Sequence, residues 1–391
     1  MSAPVATIAL PRLLRVGPGA ADELGDVLSS LDLARPLVVT DAFLSGNGTA
    51  ERVVAGLTAR GITATVFDRT RPDPTTSSIA AAVDTLTAGD FDCVVGLGGG
   101  SPMDTAKAVA LLGTTGRPMR EYAAPTVTDT PALPLIAIPT TAGSGSECTR
   151  FTIITDDSGD TDEKMLCAGL AFLPTAALVD PLLTMGMPAR LTADTGVDAL
   201  THAVEAYVSR KASPFTDGLA LTAMEGIARS LRTAYSHPGD HEARSTMMLA
   251  STQAGMAFSN ASVALVHGMS RPIGAHFHVA HGLSNAMLMP AVTEWSVPAA
   301  TARYADCARA MRLVGDGGSD EAAAAALVRE LHTLNADLAV PGPAEHGLDL
   351  VRWEQMVPTM ARQALASGSP ANNPLVPGQD AIEQLYRSLV P

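Results

Sequence analysis

The feature that most constrains this chain is an alternation that stops. Over the first 140 or so residues, short β-branched runs at 36–43 (PLVVTDAF), 62–68 (ITATVFD), 92–98 (DCVVGLG) and 133–140 (LPLIAIPT) alternate with helical stretches at 19–31, 49–61 and 77–89. Strands that alternate with helices form a parallel sheet covered on both faces. After the stretch 177–196 the strand-like runs nearly vanish. Helical periodicity then holds at 194–209, 216–235, 243–270, 281–290, 300–313, 319–336, 351–366 and 380–389. The expectation is an N-terminal α/β domain over residues 1–185, with a Rossmann-like parallel sheet, and an all-α C-terminal domain over 186–391. A chain of 391 residues is also too long for one ordinary core.

Composition narrows the partners. The net charge is 26 − 40 = −14, which argues against nucleic acid or an anionic membrane held through a general field. Cys93, Cys148, Cys167 and Cys307 form no CxxC pair, so neither a disulfide framework nor a thiolate metal site is expected. The N-terminal stretch lacks the basic head of a signal peptide, and no apolar run approaches the ~18 residues of a membrane span. A soluble, cytoplasmic protein is expected.

The stretch FDCVVGLGGGSPMDTAKAVALL (91–112) reads as a buried strand, a glycine turn and a helix. Gly98, Gly99 and Gly100 leave the backbone bare, so an anion can reach its amides. Ser101 is the expected N-cap, with Pro102 at the first helical position and Asp104 completing a capping box. The helix start offers N–H groups and positive dipole to a pyrophosphate; the plainer alternative is a tight strand-to-helix turn. The usual dinucleotide fingerprint follows the first strand, with its acidic residue later. Here the acidic candidate is Asp41, which comes earlier, at the end of PLVVTD. A carboxylate there can accept from a ribose and repel a 2′-phosphate; a simple helix cap is the alternative. The loop PTTAGSGSE (139–147) brings Thr140, Thr141, Ser144 and Ser146 to the end of a buried strand, where α/β folds bind ligands.

A second constellation lies in the helical half. Asp198 and His202 are spaced i, i+4 and share a helix face, with a rise of ~6 Å. That spacing suits two ligands on one metal and equally an Asp–His hydrogen bond. His267, His276, His278 and His281 crowd into 264–284, four of the chain's nine histidines. On one straight helix His267 and His281 would stand ~21 Å apart. Pro272, Gly274 and Gly282 are expected to interrupt the run, and a turn at FHVA can bring the two together. Imidazoles with one carboxylate suit a borderline divalent cation, Fe²⁺ or Zn²⁺, rather than an all-oxygen Mg²⁺ or Ca²⁺ site. Spacing alone does not choose among the four histidines.

These stretches together resemble the iron-containing, or group III, alcohol dehydrogenases. GGGSPMDTAKAVA, PTTAGSGSE, TGVDALTHAVEAYVS, AFSNASVALVHGM and HGLSNAMLMP look like that family's signatures, in order. The resemblance spans nearly the whole chain. It implies a dinucleotide-binding N-terminal domain and a helical metal-binding domain, and a reversible hydride transfer between NAD(H) and a small alcohol or aldehyde. By motif it assigns Asp198, His202, His267 and His281 as ligands of Fe²⁺, with Zn²⁺ the alternative. It places the cofactor on Gly99, Gly100, Ser101, Thr140, Thr141 and Ser144, near Asp41 and Lys164, with NAD preferred over NADP. Homodimers are common in the family.

The family often carries a second histidine four residues after the third ligand; here Arg271 stands there. Arginine stays protonated and is a poor base. Three roles are open to it: pairing with a carboxylate at the domain boundary, contacting the cofactor, or binding an anionic tail on the substrate through a bidentate clamp. His278 is a candidate replacement for the missing proton relay. Within the superfamily, a maleylacetate-reductase-like enzyme or a hydroxyacid-oxoacid transhydrogenase-like enzyme is the alternative; from another class, a catalytically silent nucleotide-binding protein.

Overall fold

The structure, a computed structural model, describes residues 5–159, 162–315 and 317–390. Two compact units are formed, one of Ile8–Met185 and one from Gly186 onward together with residues 5–7.

The strands of the first unit are β1 (Leu13–Val16), β2 (Pro36–Asp41), β3 (Thr65–Thr70), β4 (Cys93–Gly98), β5 (Leu135–Pro139), β6 (Phe151–Asp156), β7 (Glu163–Ala168) and β8 (Ala176–Val179). Six of them make one sheet in the order β1-β8-β5-β4-β2-β3, with every pairing parallel. β6 and β7 form a separate antiparallel hairpin. The helices are α1 (Leu24–Ser30), α2 (Ala42–Gly46), α3 (Thr49–Thr58), α4 (Thr76–Ala88) and α5 (Gly100–Thr115).

Side chains alternate across a strand, and here both faces meet a core. Leu37, Val39, Val94 and Leu135 pack with Ile79, Ala82 and Leu86 of α4 and Val109 and Leu111 of α5. Val38, Val95, Leu97, Ile136 and Ile138 pack with Leu24, Val27 and Leu28 of α1 and Val53 and Leu57 of α3. Two-sided burial explains why these strands read as near-continuous apolar runs.

The topology places a crevice. From β2 the chain proceeds to the edge strand β3; from β4 it proceeds the other way, to β5. β2 and β4 are neighbours with Val39 opposite Gly96, so Asp41 and Gly98 lie level at their carboxyl ends. In open α/β sheets such a switch point is where ligands bind.

The second unit is helical: α6 (Ala189–Val208), α7 (Pro214–Ser236), α8 (His241–Ala261), α9 (Leu265–Phe277), α10 (His281–Ser296), α11 (Thr301–Ala310), α12 (Asp320–Asp337), α13 (Leu350–Ala366) and α14 (Gln379–Ser388). Among the described residues no helix is long and apolar enough to cross a membrane. Local chemistry starts several of these helices. Ser213 and Thr216 form a capping box with Pro214 inside it, and Asp240, Ser319 and Asp349 cap α8, α12 and α13. α6 is buried almost all round from Val197 to Val208, as a central helix must be.

The expected single helix over 243–270 is in fact two, α8 and α9. The chain leaves α8 at Ser262, which takes φ 66, rare for a residue with a side chain. Asn372 Nδ2 donates to Ser262 Oγ and to Val263 O. The Glu205 carboxylate accepts from Ala264 N at 2.8 Å and Val266 N at 2.6 Å. Captured amides, rather than a breaking residue, end the helix. Pro272 and Gly274 do not interrupt α9 either, and Gly282 lies inside α10; the reversal comes at His278, φ 55, the C-cap of α9.

Candidate metal centre and dinucleotide turn

Asp198 and His202 stand one turn apart on α6, His267 is the third residue of α9, and His281 is the first of α10. The turn at His278 reverses the chain, so the long separation expected of a straight helix disappears. Asp198 Oδ1, His267 Nε2 and His281 Nε2 all lie within 4.8 Å of one another. The carboxylate oxygen is 3.6 Å from His267 Nε2 and 3.7 Å from His281 Nε2. His202 Nε2 is slightly farther, 3.9 Å from the same oxygen, with its ring stacked between Phe258 at 4.1 Å and His267 at 4.5 Å. A tetrahedral shell with bonds near 2.1 Å has edges of about 3.5 Å, which the separations of Asp198 from His267 and His281 match; His202 lies outside that group of three. His276 and His278 are not in the group. His276 Nε2 is 2.8 Å from Gln363 Oε1, and His278 is exposed.

The surroundings decide which atoms face inward. His267 Nδ1 lies 2.7 Å from Glu205 Oε2, and His281 Nδ1 lies 3.2 Å from Ser270 Oγ. Each contact occupies Nδ1 and turns the Nε2 lone pair toward Asp198, the arrangement a metal-ligating histidine needs. Desolvation alone would raise the Asp198 carboxyl, but the positive character of His202, His281 and His267 outweighs it and holds the group well below its ordinary 3.8. Desolvation pulls the His267 imidazole down, yet Asp198 and Glu205 prevail and hold it above 6.5. Two buried carboxylates, Asp198 and Glu205, flank His267 and give the pocket negative charge. The donor chemistry agrees. Three lone pairs converge on the side-chain NH₂ of Asn285, which has only two hydrogens to offer. The three side chains differ in access: those of Asp198 and His267 are 7% and 4% exposed, that of His281 42%.

Glu205, Ser270 and Asn285 escape a reading of the sequence. Their one signal is polar character on helix faces that are otherwise apolar, and burial is needed to interpret it.

Arg271 lies one turn after His267 on α9. Its Nη1 donates to Ser369 Oγ at 3.0 Å, and its Nε is buried without a hydrogen-bond partner. Among the described residues no carboxylate lies within ion-pair distance of it, so of the three roles open to Arg271 the carboxylate pairing is not seen there. Burial lowers its pKa, opposed by the charge of Glu205.

In the first unit the glycine turn meets the next loop. Gly98 takes φ 149, and a Cβ there would stand 2.5 Å from Pro102 Cγ. Thr140 N donates to Gly98 O at 3.0 Å, and Thr141 and Ser144 border Gly99 and Gly100. Gly99, not Ser101, is the N-cap of α5, and no side chain caps it. The glycines let the helix start earlier than Ser101 would. Asp104 makes no capping box: it accepts from Ser146 Oγ and Ile153 N, both at 3.1 Å. One turn on, buried Lys107 donates to Thr149 O, Thr149 Oγ1 and Phe151 O; burial lowers its pKa to about 8 against the pull of Asp104 and Glu147. The polar residues of this helix thus tie the glycine turn to the following loop and hairpin, and the bare, uncapped helix start fits a phosphate. Asp41 accepts from Leu44 N and caps α2. Lys164, on β7, is paired with Asp73 at 2.8 Å. All four cysteines are free and buried.

Residues 11–181 match the family model described as iron-containing alcohol dehydrogenase. Residues 192–390 match that of the Fe-containing alcohol dehydrogenase family, C-terminal. The chain belongs to this family. It is 35% identical to the NAD-dependent methanol dehydrogenase of Bacillus methanolicus over 380 residues, 97% of this chain and 98% of that one. The crystal structure of a 1,3-propanediol oxidoreductase superposes with a TM-score of 0.94 at 33% identity, covering 99% of this chain and 100% of that one. The sulfoacetaldehyde reductase of Bifidobacterium kashiwanohense, solved with NAD⁺, gives 0.88 at 28% identity, with 99% of each chain covered.

Proposed function

We propose that this protein is a metal-dependent oxidoreductase that passes a hydride between NAD(H) and a small alcohol or aldehyde. The observation that carries this reading is the convergence of Asp198 Oδ1, His267 Nε2 and His281 Nε2 within 4.8 Å. His202, at 3.9 Å from Asp198, completes the proposed ligand set. Imidazoles with one carboxylate suit Fe²⁺ or Zn²⁺, and the family's name favours iron. A cation held there supplies Lewis-acid polarisation of the substrate C–O bond, while the nicotinamide supplies or accepts the hydride.

The chain's own groups do the positioning. Glu205 and Ser270 fix the rings of His267 and His281. The half-exposed His281 marks the side from which a substrate oxygen enters. Gly98, Gly99, Gly100 and Ser101, with Thr140, Thr141 and Ser144, are the proposed seat of the pyrophosphate. Asp41 is the proposed ribose acceptor and the reason for NAD over NADP; Lys164 is the remaining proposed cofactor contact. His278 has no hydrogen bond to the ligand group among the described residues, so a relay through it has no support in the geometry.

Arg271 supports a narrower reading, a substrate with an anionic group. A half-buried guanidinium whose Nε is buried and unpaired, with no carboxylate partner among the described residues, is costly, and an anion on the substrate would relieve that cost. The likeness to a sulfoacetaldehyde reductase supports the same class. The test is NADH oxidation by metal-reconstituted enzyme with matched aldehydes, acetaldehyde against sulfoacetaldehyde. Arg271→Ala should raise KM for the anionic member at least about tenfold, the worth of one charge-assisted bond, and barely affect the neutral one. Equal losses on both would remove the anionic reading. No metal-dependent turnover of any aldehyde by the wild type would remove the oxidoreductase reading itself.

A further inference from the structure

Asn285 stands one turn after His281 on α10 and is fully buried. Its Nδ2 lies 2.7 Å from Asp198 Oδ1, 3.2 Å from His267 Nε2 and 3.1 Å from His281 Nε2. Its Oδ1 is buried with no hydrogen-bond partner. Buried amides are normally satisfied at both ends, and an unsatisfied one costs about 1–3 kcal/mol. The fold leaves one end of this amide unpaired while pressing the other against three proposed ligand atoms at once. The shortest contact, to Asp198, is the one to a charged acceptor, where the bond is strongest.

We propose that Asn285 is a positioning residue of the metal centre. Its N–H fixes Asp198 Oδ1 beside the imidazoles. A carboxylate held this way cannot swing to present its other oxygen, so the ligand geometry is set before a cation arrives. The proposal rests on the metal reading above, and its test needs neither substrate nor cofactor.

The test uses Asn285→Leu, which keeps the volume and removes the donor, and Asn285→Ala. Each protein is stripped with a chelator and titrated with Co²⁺ against a chromogenic competitor. The visible Co²⁺ spectrum reports ligand geometry, and melting of the stripped proteins reports folding. Loss of an outer partner of a metal ligand typically weakens binding by about 10–100-fold. That loss, with a changed Co²⁺ spectrum, is expected in whichever variant melts like the wild type. Wild-type affinity and an unchanged spectrum in a folded variant would overturn the assignment. If the wild type itself binds no divalent cation, the metal reading fails instead.

Discussion

Replacing Glu205 by glutamine exchanges one oxygen for NH₂ and has a calculable cost. The carboxylate serves three N–H groups: Ala264 N at 2.8 Å and His267 Nδ1 at 2.7 Å on Oε2, and Val266 N at 2.6 Å on Oε1. Glutamine offers one acceptor oxygen. Placed at Oε2, that oxygen keeps Ala264 and His267 and turns the NH₂ onto the Val266 N–H. The opposite orientation strands two donors, so the first is adopted. One stranded buried donor costs about 1–3 kcal/mol. The two retained bonds lose the charge that makes such bonds roughly twice as strong. A total near 2–4 kcal/mol lowers the melting temperature by about 5–15 °C for a unit of this size. His267 keeps an acceptor, so metal affinity should fall only about tenfold, the low end of the range for an outer ligand partner. Glu205→Ala removes all three bonds and should reach the upper end. Scanning calorimetry of the chelated proteins and Co²⁺ competition titrations read the two effects. A glutamine variant that melts with the wild type and binds Co²⁺ as tightly would refute the reasoning.

Further outcomes follow from the same geometry. Asp198 is held below its ordinary 3.8, so its contribution to stability is present above that value and lost as the pH falls. His267 is held above 6.5, so its contribution is full below 6.5 and lost as the pH rises through its raised value. The chelated cluster should therefore stabilise most between 3.8 and 6.5, whereas Co²⁺ affinity should climb above that window because binding expels the His267 proton; a flat affinity profile would contradict this. Gly282→Ala would set a Cβ 2.3 Å from Asp194 O on α6. It should force α10 away from α6, costing about 1–3 kcal/mol and weakening Co²⁺ binding. Gly218→Ala on α7, with nothing within 4 Å of the new carbon, should stabilise by about 0.5–1 kcal/mol and leave the metal titration unchanged.

The buried strands β2, β4 and β5 are legible because two-sided burial makes short continuous apolar runs, and most helices because one-sided burial imposes a period of 3.6. β1 and β8 are four residues each, too short for a period to register. The hairpin of β6 and β7 follows the clear strand β5 and reads as connection. The split of α8 from α9 was hidden because its cause is distant in sequence: Glu205 on α6 takes the backbone N–H groups of Ala264 and Val266. The Ser101 capping box failed for a local reason, since the glycines before it let the helix begin early. Ligand candidates were nameable from residue type and motif, but Glu205, Ser270 and Asn285 are ordinary polar residues until the fold shows what they face.

The most direct test of the account is metal stoichiometry joined to turnover. The wild type, Asp198→Ala and His267→Ala would be reconstituted anaerobically with Fe²⁺, assayed for bound metal, and followed for NADH oxidation with aldehydes. A single divalent cation per chain is expected in the wild type, with loss of that cation in both variants and NADH oxidation that disappears on chelation. Full metal binding in Asp198→Ala, or turnover that survives chelation, would contradict it.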